Sequence, residues 1–140
     1  MIPIKPSDAI WTDEQWNAIY DKGHNIIVSA GAGSGKTAVL SERVIENLKS
    51  GMSIKEVLLL TFTKAASLEM KTRIRNKIKK NPSLSKELSL IDEAYITTFD
   101  SFALSIVKKY HYILNISPNV SIIDEAIIRI KKKEILTNIF

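Results

Sequence analysis

Apolar positions along the chain switch between a helical spacing and short continuous runs, and the switches mark out the elements. Thr12-Asp13-Glu14-Gln15 reads as a helix start with a capping box, Thr12 at the cap and Gln15 three positions on, ahead of Trp16, Ile19 and Tyr20. A β-branched run over residues 25–30 predicts a first strand. Residues 38–49 then carry Leu40, Val44, Ile45 and Leu48 at helical spacing and stop at Gly51. Ser53 and Glu56 form a second possible capping box, and residues 57–62 are a continuous apolar run of the kind buried on both faces of a sheet. A helix is predicted over 65–80 with Leu68, Ile74 and Ile78 inward, broken at Asn81-Pro82-Ser83. A short helix over 85–94, a strand over 95–99 and a helix over 101–113 follow, the last carrying Phe102, Leu104, Ile106, Val107 and Tyr110. Strands alternating with helices predict an α/β fold with a parallel sheet, flanking helices and right-handed crossovers, in which ligands sit at the carboxyl ends of the strands. Ile116-Ser117-Pro118-Asn119 is the best internal boundary, and residues 123–140 read as one amphipathic helix. The division expected is therefore 1–115 and 116–140.

Composition narrows the classes. A chain of 140 residues, 45% hydrophobic and 25% charged, has the make-up of one globular domain with a core, too short for a large motor enzyme. It has no cysteine, and His24 and His111 lack ligand spacing, so neither a disulfide framework nor a thiolate metal site is expected. No apolar run approaches a membrane span and the amino terminus lacks a signal core, so a cytoplasmic location without membrane contact is expected. The net charge of +5, concentrated in residues 71–80, Lys108-Lys109 and residues 129–133, favours polyanionic partners, although solvated helix faces are the commoner account of such runs.

The chemistry begins where the predicted first strand ends. Ala30-Gly31-Ala32-Gly33-Ser34-Gly35-Lys36-Thr37 fits the phosphate-loop spacing G-x-x-x-x-G-K-[ST], with alanine for the first glycine. Backbone N–H groups of residues 30–35 would surround the phosphates, Lys36 would reach the β and γ oxygens, and the Thr37 hydroxyl would hold Mg²⁺. The helix dipole that starts there favours the same anion. The ligand expected is a nucleoside triphosphate, ATP, with Mg²⁺, and Lys36 and Thr37 are the catalytic candidates.

Two further strand ends bear on purpose. Thr61-Phe62-Thr63-Lys64 offers hydroxyls, an aromatic face and a cation ahead of a helix, a set suited to a single-stranded nucleic acid backbone and a stacked base. A core phenylalanine with capping threonines explains the same residues. Thr97-Thr98-Phe99-Asp100-Ser101-Phe102 repeats the pattern, and two such edges side by side would make a groove. Hydrolysis needs an acidic pair at a strand end. Val120-Ser121-Ile122-Ile123-Asp124-Glu125 and Leu90-Ile91-Asp92-Glu93 both imitate it, the second from a helical context.

Four ordered segments, residues 11–19, 30–37, 61–70 and 96–102, resemble the Q motif, motif I, motif Ia and the next DNA-contacting motif of UvrD/Rep-type superfamily 1 helicases. Residues 107–114, with the opening Trp-Thr-Asp-Glu-Gln-Trp, most resemble the AddA subunits of bacterial AddAB helicase-nucleases. The resemblance implies a RecA-like P-loop NTPase sheet that is incomplete: the N-terminal part of motor domain 1A, then the start of the helical 1B insertion. It implies an ATP-dependent 3′→5′ DNA helicase or translocase of double-strand-break repair and recombination, acting on single- and double-stranded DNA beside an AddB-like nuclease-helicase subunit. Gln15 would read the adenine edge, a role its capping position neither requires nor excludes. Thr61, Phe62, Thr63, Arg73 and Thr98 would line the DNA path, while Asp100 stands where the family usually has histidine. In that family the acidic strand lies beyond the insertion, so both acidic pairs here would be decoys. The chain would then be the N-terminal piece of a longer protein, inactive by itself. A small-molecule P-loop kinase and a non-catalytic nucleic-acid-binding module are the alternatives.

Overall fold

The computed structural model describes residues 2–139, which divide into two compact units, one through Thr98 and one from Phe99. In the first, α1 (Asp13–Tyr20) and α2 (Lys36–Lys49) precede a 3₁₀ turn at Ile54–Glu56, β1 (Leu58–Thr61), α3 (Lys64–Lys79), a second 3₁₀ turn at Pro82–Leu84, α4 (Ser85–Leu90) and β2 (Tyr95–Thr98). The capping box at α1 forms as the spacing predicts: Gln15 N–H donates to Thr12 Oγ1 at 3.3 Å and Thr12 N–H to Gln15 Oε1 at 3.0 Å. The Ser53–Glu56 box also forms, on the 3₁₀ turn. Helix α2 gives way at Ser50, and Gly51 follows with φ +96°, a left-handed conformation open to glycine without strain.

Strands β1 and β2 pair in parallel with Leu58 opposite Tyr95 and Thr61 opposite Thr98, and α3 and α4 make the crossover between them. The core is one cluster: Val44, Ile45 and Leu48 from α2, Met70, Ile74 and Ile78 from α3, Leu59 and Ile96 from the strands, with Ile54, Leu84, Ile91 and Ala94 closing its rim. Glu87 on α4 accepts from Ile54 N–H at 2.7 Å and from the Ser53 hydroxyl at 3.2 Å, tying the crossover to the first 3₁₀ turn. Asp92 receives Lys71 at 3.1 Å and Arg75 at 2.6 Å, both from α3.

Several expectations are corrected. Residues 25–30 form no strand, and the sheet among the described residues has two strands rather than three. A strand exists only where a neighbour satisfies its N–H and C=O groups. Here β1 and β2 take each other, leaving Ile27 almost fully exposed. The run over 57–62 is not buried on both faces, since Leu59 is in the core while Leu58 is half exposed. On α3 the inward row is Ser67, Met70, Ile74 and Ile78, spaced by three and four, whereas Leu68 lies off that row and is exposed. Helix α4 stops at Leu90, short of the predicted 94.

In the second unit, α5 (Phe99–Lys109) starts at once after β2 rather than at 101 and ends before 113. A turn follows in which Ile116 N–H donates to His111 O at 3.2 Å. Helix α6 (Glu125–Ile139) is exposed throughout, and Phe140, the predicted last residue of that helix, lies outside the described residues. Asp124 caps α6, its Oδ1 accepting Ala126 N–H at 2.8 Å. No helix among the described residues is long and apolar enough to cross a membrane.

Candidate nucleotide site

The phosphate loop bends where its glycines permit. Gly33 and Gly35 hold φ of +75° and +81°, and Gly35 is the residue from which α2 springs. A Cβ at Gly35 would stand 3.2 Å from Gln15 Nε2, so the close approach of α1 also depends on glycine there. Ser34 Oγ donates back to Gly31 O at 2.8 Å and closes the turn. The Lys36 ammonium folds over the loop and donates to Ala30 O at 2.7 Å and Gly31 O at 2.5 Å. Thr37 is exposed on the first turn of α2.

Helix α1 reaches the same loop. Gln15 Oε1 is held in the capping box, and its Nε2 donates to Ser34 O at 3.1 Å. A carboxamide nitrogen carries two N–H groups and its oxygen two lone pairs, so each atom keeps capacity for a ligand beyond these bonds. From α2, Arg43 Nη1 donates to Ala18 O at 2.8 Å and Ile19 O at 3.4 Å, at the carboxyl end of α1. The seam between the two helices also contains Tyr20, whose phenol is pushed up by burial and by Glu46 nearby, and Lys49, raised by its hydrogen bond to Glu46. Trp16 packs on Tyr20 with ring centroids 4.3 Å apart.

Between α1, the loop and α2 lies a cavity of about 810 Å³. Its lining combines polar side chains, among them Gln15, Ser34 and Lys36, with the apolar Ile26, Val28, Val39 and Leu40. The size and the mixed lining suit a ligand with a polyanionic tail and a flat, partly apolar head. Lys36 and the amino terminus of α2 are donors a triphosphate needs, while the Thr37 hydroxyl, the Mg²⁺ candidate, stands on the first turn of α2 outside the cavity's lining. Sequence reasoning missed Arg43. Lys36, Val39, Leu40 and Arg43 follow i, i+3, i+4, i+7 spacing and so share the face of α2 that lines the cavity, which was a readable signal.

Of the residues expected on a DNA path, Thr61, Phe62, Thr63 and Thr98 fall at or just after the carboxyl ends of β1 and β2, and Arg73 lies within α3. Thr61 and Thr98 are register partners, so the two strand ends do lie side by side. Phe62 is 93% exposed, whereas Thr98 is buried. Thr61 Oγ1 donates to Thr63 O at 3.0 Å, and Thr63 caps α3 through Ala66 N–H at 3.1 Å. Arg73, one helical turn beyond Glu69, is paired with it at 3.0 Å. The basic run of α3 is largely answered inside the fold: Lys71 and Arg75 by Asp92, Lys77 by Glu42. The hydrogen bond from Lys71, with Arg75 beside it, holds the Asp92 carboxyl below the usual carboxylate range. Asp92 is thus a tie between the turn after α4 and α3, and Asp124 is a helix cap. Neither stands at a strand end.

Residues 11–139 match the family described as UvrD/REP helicase N-terminal domain. Among curated proteins the chain is 44% identical to the A-subunit of the ATP-dependent helicase/nuclease of Lysinibacillus sphaericus, over 99% of this chain and 12% of that protein. It is 42% identical to the protein of the same name from Anoxybacillus flavithermus, over 100% of this chain and 12% of the relative, and 40% identical to that of Listeria monocytogenes, over 99% and 12%. The chain therefore spans about an eighth of the length of these relatives.

Proposed function

Because this chain belongs to the UvrD/REP helicase family through its N-terminal domain, we propose that it supplies the ATP-holding edge of an ATP-dependent DNA helicase or translocase. The enzyme is read as a 3′→5′ superfamily 1 motor and helicase-nuclease subunit of double-strand-break repair, working in the cytoplasm beside an AddB-like partner. Residues 1–115 would belong to a RecA-like motor domain 1A and residues 116–140 to the start of the 1B insertion.

The observation that carries this reading is the convergence of Gln15 and Lys36 on one phosphate loop, at a cavity of nucleotide size. Lys36 exchanges the carbonyls of Ala30 and Gly31 for phosphate oxygens, so the loop's resting contacts are replaced rather than merely lost. The Thr37 hydroxyl and the amino terminus of α2 hold Mg²⁺ and phosphate, with the backbone of Ala30, Gly31, Ala32, Gly33, Ser34 and Gly35 as the cradle. Gln15 reads the adenine edge with its remaining donor and acceptor. ATP supplies the phosphoanhydride whose cleavage drives stepping, and neither Asp92 nor Asp124 stands at a strand end where hydrolysis would need an acidic pair. Thr61, Phe62, Thr63, Arg73 and Thr98 mark the DNA-facing edge, with Phe62 as its stacking platform and Arg73 released from Glu69 to meet phosphate.

The test is DNA-stimulated ATPase activity of the full-length protein with Lys36→Ala as control. Stimulation that disappears in the variant is the expected result. Phosphotransfer to a small molecule without DNA would support the kinase alternative, and salt-sensitive DNA binding without any ATPase would support the non-catalytic module.

A further inference from the structure

Helix α1 has eight residues and a single buried side chain, Ile19. Isolated helices below about 12 to 15 residues are marginal in water, so α1 keeps its place only through contacts to other elements. Toward its amino end the capping box closes the first turn, and the ties to other segments are the Gln15–Ser34 hydrogen bond, the Lys5–Asp13 ion pair and the bond from Trp16 Nε1 to Pro3 O at 2.8 Å. At its carboxyl end the last turn has no basic residue of its own. The cation that meets those carbonyls comes from α2: Arg43, on Ala18 and Ile19. Arg43 lies two turns along the helix face that begins with Lys36, so one helix carries both the phosphate lysine and the clamp on the Gln15 helix.

We propose that Arg43 is a positioning residue for base selection: by clamping the carboxyl end of α1 it fixes the Gln15 carboxamide relative to the phosphate loop, and so sets the preference for adenine over guanine nucleotides. The proposal rests on the nucleotide reading above. An amide oxygen can accept from the adenine amino group but meets a second acceptor at guanine, so selectivity depends on that oxygen staying where the capping box and the clamp hold it. Without the clamp, α1 pivots about Thr12 and the carboxamide no longer presents one orientation. The loop loses only the bond from Gln15 to Ser34 O; Lys36 keeps its contacts to Ala30 and Gly31, and the Ser34–Gly31 bond still closes the turn, so phosphate binding is retained.

The test measures equilibrium binding of ATP, GTP and inorganic tripolyphosphate to the full-length protein and its Arg43→Met, Arg43→Lys, Gln15→Ala and Gln15→Ala/Arg43→Met variants, with thermal melting as a fold check. Arg43→Met should weaken ATP about tenfold, the worth of one well-placed hydrogen bond, while GTP and tripolyphosphate stay within about twofold. Arg43→Lys, which keeps a cation but not the fork, should fall between. In the Gln15→Ala background Arg43→Met should cost nothing more, since its effect passes through Gln15. Parallel loss of tripolyphosphate affinity, an unchanged ATP-to-GTP ratio or an additive double variant would each overturn the proposal. Binding by the unaltered protein that survives Lys36→Ala would instead overturn the nucleotide reading beneath it.

Discussion

The core and the phosphate loop sit on the same helix and are built by opposite means. The carboxyl half of α2 buries Val44, Ile45 and Leu48 against α3 and the two strands. Its amino end emerges from a loop whose residues 31–34 are all exposed and whose shape rests on hydrogen bonds from Ser34, Lys36 and Gln15. Burial fixes the first region through many contacts, each weak and none directional. The second is fixed by a few directional bonds that a ligand can replace one for one. Stability and chemistry can therefore be altered separately, although one helix serves both.

Removing the core side of this arrangement should give the largest effect. Ile74→Ala leaves a cavity at a fully buried position and should destabilise the chain by about 2–5 kcal/mol in chemical denaturation, with the nucleotide affinity of the folded fraction retained. Lys36→Ala should do the reverse, weakening ATP about a hundredfold while leaving the denaturation midpoint unchanged, because its ammonium bonds only to loop carbonyls. Gly35→Ala tests the junction. It forces a left-handed alanine beside Gln15 and should cost about 1–2 kcal/mol of stability, with a weaker nucleotide site as well.

Asp92→Asn should give the smallest change and a pH signature. The folded carboxylate titrates below its ordinary value, so it contributes stability that is present above the unfolded pKa, about 3.9, and lost as the pH falls through the folded value. The variant should therefore melt slightly below the unaltered protein at neutral pH, and the gap should close on acidification. A gap that persists at low pH would mean that Asp92 acts by packing rather than by charge.

What the sequence disclosed follows the same division. The Thr12–Gln15 box, the α2 stripe and the glycine positions were legible because their causes lie within a few residues of one another. The strand over 25–30 was misread because an apolar, β-branched run reports an extended preference, whereas strand formation depends on neighbours far away in the chain. Leu68 was misplaced on α3 because Met70, at the better spacing, takes the core. Arg43 shares the spacing of the cavity face of α2, which is legible, but its pairing with main-chain carbonyls of another helix carries no sequence signature.

The sparse burial of α1 has a consequence for how occupancy would register in solution. An element with one buried side chain opens locally long before the Ile74 cluster does, so its amides should exchange with solvent at a rate uncoupled from global unfolding. Nucleotide that engages Gln15 would slow the exchange of α1 selectively. Part of the binding free energy would then be spent on ordering that helix, making it a reporter whose protection tracks the base and not the phosphates.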